Sequence, residues 1–333
     1  MVRRLLTVLC AALAAVVVGV CAALPAWAAQ AITLTWVRHA QSTANAAGII
    51  DTTVPGPGLT ALGGIQAQAV AGTLAPNGYD GIYESDMLRT QLTAAPLATE
   101  VALTPVVAPG VREINAGLFE GRGGLLAGIG YALPPVAWVL GARFVPVLGG
   151  ENGNGFDARV DAAVATIYAG GASNPVVFSH GATIMAWTLM TVDNPNLLLA
   201  LTRPLGNTAV VVVNGNPEDG WTLQSWDGVA VDPTPGPLTR LFVAVRNAVV
   251  APQTAMYENC HRHVGPAAVS RRDVPKPTRV ASAAVPRRVA GTPTSVLREA
   301  SGVAPKPAAA GRGAQRDRTP GRDQRTGAAR VPD

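Results

Sequence analysis

Lysine is missing from residues 30–260 altogether, and the last residue of that stretch, Cys260, is its only cysteine. Cys10 and Cys21 fall within the first 28 residues, so a chain that sheds them has no second thiol and no internal disulfide. Residues 261–333 contain no aromatic side chain. With no ring to stack a base and no nucleic-acid-binding motif, specific nucleic-acid recognition is excluded. Histidine is scarce too: the 333 residues hold four, His39, His180, His261 and His263. The position of each therefore carries weight.

Charge is divided along the chain. Residues 30–260 carry nine arginines against sixteen acidic residues, a net charge of −7, while residues 261–333 carry fifteen basic and five acidic residues, a net charge of +10. The basic character belongs to the tail, whose Pro-, Ala- and Arg-rich sequence has too little apolar surface to offset the entropy of ordering it. Residues 261–333 are expected to be disordered, acting as a spacer or attaching weakly to anionic surfaces by charge. At the other end, Arg3 and Arg4 precede an uncharged run over residues 5–26 and the small-residue segment AWAAQA. This predicts a signal peptide over residues 1–28, cut near Ala28, or an uncleaved anchor. Either outcome puts the remainder outside the cytoplasm, secreted or membrane-anchored. Val20 before Cys21 argues against lipoprotein processing.

Residues 30–260 alternate strand and helix signals. ITLTWV, DGIYESD, NPVVFS, NTAVVVVNG and WTLQSW read as strands; TALGGIQAQAVAGTLA, LRTQLTAAPLATEVA, GFDARVDAAVATIYAGG and GATIMAWTLMTV read as helices. TRLFVAVRNAVVAPQTAMY reads as a packed terminal helix. The alternation predicts one α/β domain, a three-layer α/β/α arrangement around a mostly parallel or mixed central sheet. Between the second and third of these helices lies an apolar, proline-containing insertion, residues 123–150, which reads as a lid or packing loop. His39 and His180 each follow an apolar strand directly, in WVRHA and FSHGA. The carboxyl ends of strands are where open α/β sheets bind ligands, so these two can meet there despite the 141 positions between them.

Six ordered segments, VRHAQSTAN, GLTALGGIQAQAVA, YESDMLRTQLTAAPLA, VREINAGLFEG, VVFSHGATI and GNTAVVVV, resemble the histidine phosphatase superfamily, in its phosphoglycerate-mutase-like branch. The resemblance implies His39 as the nucleophile that forms a phosphohistidine, and Glu113 as the general acid for the leaving oxygen. It also implies Arg38, Arg89, His180 and Asn45 as phosphate-binding groups, with His180 stabilising transition-state charge. No cofactor or metal is called for, and the partner implied is a small-molecule phosphate ester; the oligomeric state is not legible. Ala40 and Ala182 stand where the family usually has glycine, which predicts strain if either needs a positive φ. Glu120 reads as a loop acid. Glu151 reads as a holder of the insertion or of a phosphate-ligating arginine, and Arg112 as a side chain that could turn towards the site. Cys260, His261 and His263 could meet a surface metal but lack a fourth ligand. The lack of lysine and the apolar insertion favour an exported phosphomonoesterase over a mutase, which would need extra cations for a substrate carboxylate. The remaining alternative is a weak or inactive phospho-ligand-binding protein.

Overall fold

The computed structural model describes residues 30–261. The expected signal peptide, residues 1–28, and the expected disordered tail, residues 261–333, fall outside the described residues except for His261.

The apolar run after Gln30 forms β1 (Ile32–Arg38). It is followed by a short helix, α1 (Thr43–Ala47), and by α2 (Ala61–Leu74), β2 (Gly81–Glu84) and α3 (Leu88–Val101). Next come the two-residue strand β3 (Val106–Val107), α4 (Leu125–Val139), α5 (Gly153–Ala169), β4 (Pro175–Ser179) and α6 (Gly181–Thr191). The described part closes with α7 (Leu197–Thr202), β5 (Val210–Asn216), β6 (Gly220–Trp226), β7 (Val229–Ala230) and α8 (Pro237–His261). The strands make one sheet in the order β3-β2-β4-β1-β5-β6-β7. β3, β2, β4 and β1 are parallel; β5, β6 and β7 extend the sheet antiparallel, so it is mixed.

Strand periodicity sorts side chains into two cores, as it must when both faces are covered. Leu34 and Trp36 of β1, Tyr83 of β2 and Val177 of β4 join the core beneath α4, α5 and α6. Val37, Ile82, Val176 and Phe178 point the other way, into the core under α2 and α3. Trp36 packs against Trp187 of α6 with ring centroids 5.1 Å apart and planes tilted by 55°, and Trp187 meets Trp221 of β6 edge-on at 5.7 Å. The layers are therefore helix, sheet, helix.

The expectation of a lid or loop across residues 123–150 needs correcting: residues 125–139 are helical although Pro134 and Pro135 stand inside the helix. Each proline removes a helical hydrogen bond, at a cost of about 3 kcal/mol in an isolated helix. Burial offsets that loss, because Pro134, Pro135, Trp138 and Val139 are all buried. Trp138 stacks on Phe156 of α5 at 5.4 Å and its Nε1 donates to the Val145 carbonyl at 2.6 Å. Trp138→Ala should cost roughly 3–5 kcal/mol of unfolding free energy, read from urea denaturation at constant m-value. A loss below ~1 kcal/mol would mean α4 is not packed into the core through this ring.

Candidate active site

Register explains why two distant histidines meet. In the parallel pair β1–β4, Arg38 lies opposite Ser179, so the next residues, His39 and His180, emerge side by side at the carboxyl ends. The His39 amide continues the ladder to the Ser179 carbonyl at 3.0 Å, and the two imidazole centroids are 5.1 Å apart. β2 adds a third such residue: Ser85, just past its end, bonds through its amide to the Phe178 carbonyl at 3.1 Å.

Hydrogen bonds set the tautomers. Nδ1 of His39 lies 2.7 Å from the Ala40 carbonyl, which can only accept, so Nδ1 carries the proton and Nε2 is the bare nitrogen. Arg89 reaches in from the first turn of α3 and its Nε donates to His39 Nε2 at 3.2 Å and to His180 Nδ1 at 3.3 Å. His180 Nδ1 is then an acceptor, and its Nε2–H donates to Ser85 Oγ at 2.8 Å. Ser85 Oγ also lies 2.8 Å from Thr90 Oγ1, which donates to the Met87 carbonyl at 2.6 Å. This relay fixes the ring that faces His39.

Both imidazoles are buried, and burial holds the His39 value down to about 3, with the Arg89 guanidinium adding to the effect. His180 is pushed well below its usual range by burial and by Arg89 and His39. Both rings are therefore neutral at ordinary pH. Burial also lowers the Arg38 and Arg89 values, while Glu113 opposes that shift for each. Arg38 Nε and Arg89 Nη1 are buried donors without a hydrogen-bond partner. Leaving such donors unpaired costs about 1–3 kcal/mol each, more for charged groups.

These side chains line a cavity of about 160 Å3 whose walls include Arg38, His39, Asn45, Arg89, Glu113 and Tyr131. Glu113 is held at the N-terminus of α6: its carboxylate accepts from the Thr183 amide at 3.0 Å, the Thr183 hydroxyl at 3.0 Å and the Ala182 amide at 3.3 Å. Asn45 completes a capping box with Ser42 at the start of α1, and its Oδ1 also accepts from Asn207 Nδ2 at 3.2 Å. Asn207 Nδ2 donates as well to the His39 carbonyl, at 3.0 Å.

The alanines cause no strain. Among the described residues the only non-glycine positive φ values are at Ala102, Thr208 and Asp227, so neither Ala40 nor Ala182 adopts one. At Gly181 an added Cβ would come within 3.1 Å of Arg38 Nε, so the arginine would have to shift by a few tenths of an ångström. Arg112 does not turn to the site but pairs with Asp86. Glu151 does hold an arginine, though not a phosphate-facing one. It grips Arg159 through Nε at 2.8 Å and Nη2 at 2.7 Å, and Arg159 in turn donates to the carbonyls of Gly110, Arg112 and Glu113. Glu120 accepts from the Thr52 amide, tying the 50s loop beside the cavity. Ser85 and Arg159 were not singled out from sequence. Ser85 obeys the same strand-end rule that exposed His39 and His180, whereas nothing local marks Arg159. Among the described residues no cluster of His, Cys, Asp and Glu converges as a metal site; Cys260 is exposed, and His263 lies outside the described residues.

The histidine phosphatase superfamily (branch 1) pattern matches residues 34–228. The chain is 50% identical over 245 residues to the PE-PGRS family protein PE_PGRS11 of Mycobacterium tuberculosis, covering 69% of this chain and 42% of that protein. It thus spans less than half the length of that relative. It is 41% identical over 86 residues to the probable phosphoglycerate mutase GpmB of Yersinia pestis, covering 26% of this chain and 40% of that one. A solved structure described as mycobacterial hydrolase 1 aligns with a TM-score of 0.50 and 26% identity, covering 60% of this chain and 100% of that one. With the family pattern spanning more than half of its length, the chain belongs to the histidine phosphatase superfamily, branch 1.

Proposed function

We propose that the protein is a metal-independent phosphomonoesterase that acts outside the cytoplasm on small phosphate esters through a phosphohistidine. The observation that carries this reading is a proton-free, neutral His39 Nε2 that accepts from Arg89, beside two guanidiniums that each keep one buried donor unpaired. A neutral nitrogen can attack phosphorus, and two arginine forks can hold the phosphoryl oxygens.

The steps follow from the groups present. His39 Nε2 forms a bond to phosphorus as the ester P–O bond breaks, and Glu113 gives a proton to the departing oxygen. Water then attacks the phosphoryl group, Glu113 takes the water's proton, and the P–N bond breaks to release phosphate. A bound dianion would raise the proton affinity of His180, converting its Nδ1 from an acceptor into a donor towards the transferring oxygens. Arg159 and Glu151 act as positioning residues, since they hold the backbone of Glu113 rather than touching the cavity.

A mutase reading finds less support. Arg38 and Arg89 are the only cationic residues among those lining the cavity. Arg112 and Arg159 are already paired with Asp86 and Glu151. No further cation is left there for a substrate carboxylate. Export rests on the leader sequence alone.

Purified protein should release phosphate from p-nitrophenyl phosphate at the same rate with and without EDTA, and His39→Ala should lower kcat by roughly 1,000-fold or more while abolishing an acid-labile phosphoenzyme. Near-wild-type turnover in His39→Ala rules the nucleophile out. Glu113→Gln should slow alkyl phosphates by about 100-fold or more and p-nitrophenyl phosphate far less, because nitrophenolate leaves without a proton. Equal slowing of the two denies Glu113 the acid role.

Protonation of the nucleophile also has a stability signature. In the unfolded chain His39 takes up a proton near 6.5, whereas in the fold it does so only at about 3. Its contribution is complete above pH 6.5 and is lost as the pH falls through that window towards 3. Glu84, which burial pushes up to about 7, works in the opposite direction. The comparison must therefore be between wild type and His39→Asn in the absence of phosphate. Between pH 7 and 4.5 wild type should lose on the order of 2 kcal/mol more unfolding free energy than the variant. Parallel profiles would show that His39 titrates normally in the fold.

A further inference from the structure

We infer that the site takes monoesters whose leaving group is an aliphatic chain, laid from the cavity mouth along the exposed first turns of α4. The inference rests on the phosphatase reading for the placement of the phosphate itself. The cavity is small, at about 160 Å3, so a leaving group of any length extends out across its mouth.

The mouth is apolar on the side of α4. Ile50 exchanges backbone hydrogen bonds with residues 121 and 122: its amide donates to the Arg122 carbonyl at 2.8 Å and its carbonyl accepts from Gly121 at 2.9 Å. Ile49 bridges Gly123. Ile49 and Ile50 both line the cavity, and α4 begins two residues past that bridge. Ile49 is 40% exposed, and the adjoining helix turn presents Leu125 and Leu126, which are 78% and 85% exposed. Ile129 follows one turn on, and Tyr131, from the same helix, reaches back to line the cavity. The Ile49–Gly123 bridge thus sets the first turn of α4 beside the cavity wall, with Leu125 and Leu126 on a different side of the helix from Tyr131.

Residues 123–142 contain no charged side chain, so the helix itself offers a polar leaving group no charged partner. The charges flanking its start are Arg122, whose backbone pairs with Ile50, and Asp51 in the cavity wall. The Tyr131 hydroxyl is committed to the Ile114 carbonyl at 2.7 Å, and the Trp138 indole to Val145. A sugar or nucleoside on this side would lose water contacts without replacement, whereas an alkyl chain would cover leucines that otherwise stand in water.

The test uses the full chain and monoalkylphosphonates from butyl to decyl, kept below the concentration at which they aggregate. Their P–C bond is not hydrolysed, so binding is read by calorimetry independently of turnover, with inorganic phosphate as the competitor that reports occupancy of the cavity. Affinity should rise about twofold for each methylene half-removed from water. The double variant Leu125→Ser, Leu126→Ser, with unchanged circular dichroism, should flatten that slope. A flat slope in wild type, no phosphonate binding at any length, or an unaltered slope in the variant overturns the inference. So does a concentration-dependent dimer that the double variant abolishes while the wild-type slope is flat, because a second copy would then cover the face. Absence of turnover on every ester, with the phosphonate slope intact, instead overturns the phosphatase reading and leaves the aliphatic-chain site standing.

Discussion

Two guanidinium groups, two imidazoles and one carboxylate share a space from which water is largely removed, and the rest of the site is arranged around that constraint. Burying cations without matching anions is costly, so a cluster of this composition persists only where something else lowers the cost. Part of the relief is internal. The imidazoles stay neutral, and Glu113 offsets both arginines. Arg89 spreads its donors over two rings, the Asp51 carbonyl and the Met87 sulfur. The relief is incomplete, since Arg38 Nε and Arg89 Nη1 remain unpaired. An anion that brings several acceptor oxygens would complete the set, which is the physical reason the proposed substrate is a phosphate ester.

Holding that cluster takes a second set of interactions whose members never touch the cavity. Glu151 and Arg159 tie the backbone on both sides of Glu113. Ser85 and Thr90 fix the ring of His180. The 50s loop is held from two directions. Glu120 binds Thr52, and Gly56, at a φ of 67°, lets the backbone turn where an added Cβ would come within 2.6 Å of the Thr53 carbonyl oxygen. Positive φ and close approach together make glycine the residue that fits there. Such precision in the supporting shell is what allows weak individual bonds to place reacting atoms.

Much of this was legible in the sequence, for a reason visible in β1 and β4. The strands read as largely apolar segments, ITLTWV and PVVF, and the polar pairs that follow them, Arg38–His39 and Ser179–His180, stand out. The helices read from TALGGIQAQAVAGTLA and GFDARVDAAVATIYAGG formed within a residue or two of those segments, the second starting at Gly153. Legibility failed where tertiary contacts override local chemistry. Two prolines argue against a helix at residues 134 and 135, and only the burial of Trp138 against Phe156 reverses that. Arg112 adjoins Glu113 in sequence, yet its side chain leaves towards Asp86. Arg159, forty-six positions away, supports the same backbone instead. The worry over Ala40 failed for a related cause: the family glycine's conformational freedom is not drawn on here, because this turn runs at negative φ.

The pairing of Arg38 with Ser179 has a consequence for how such a chain can change over generations. Lengthening the 141-position span between the histidines costs only a slowly growing closure entropy, so extra segments can accumulate there with little penalty. A single residue inserted or deleted within β4 is another matter. It would turn every following side chain to the opposite face and carry His180 away from His39. Lineages descending from this chain should therefore vary freely in the size of what lies between the strands, while the strands themselves keep step.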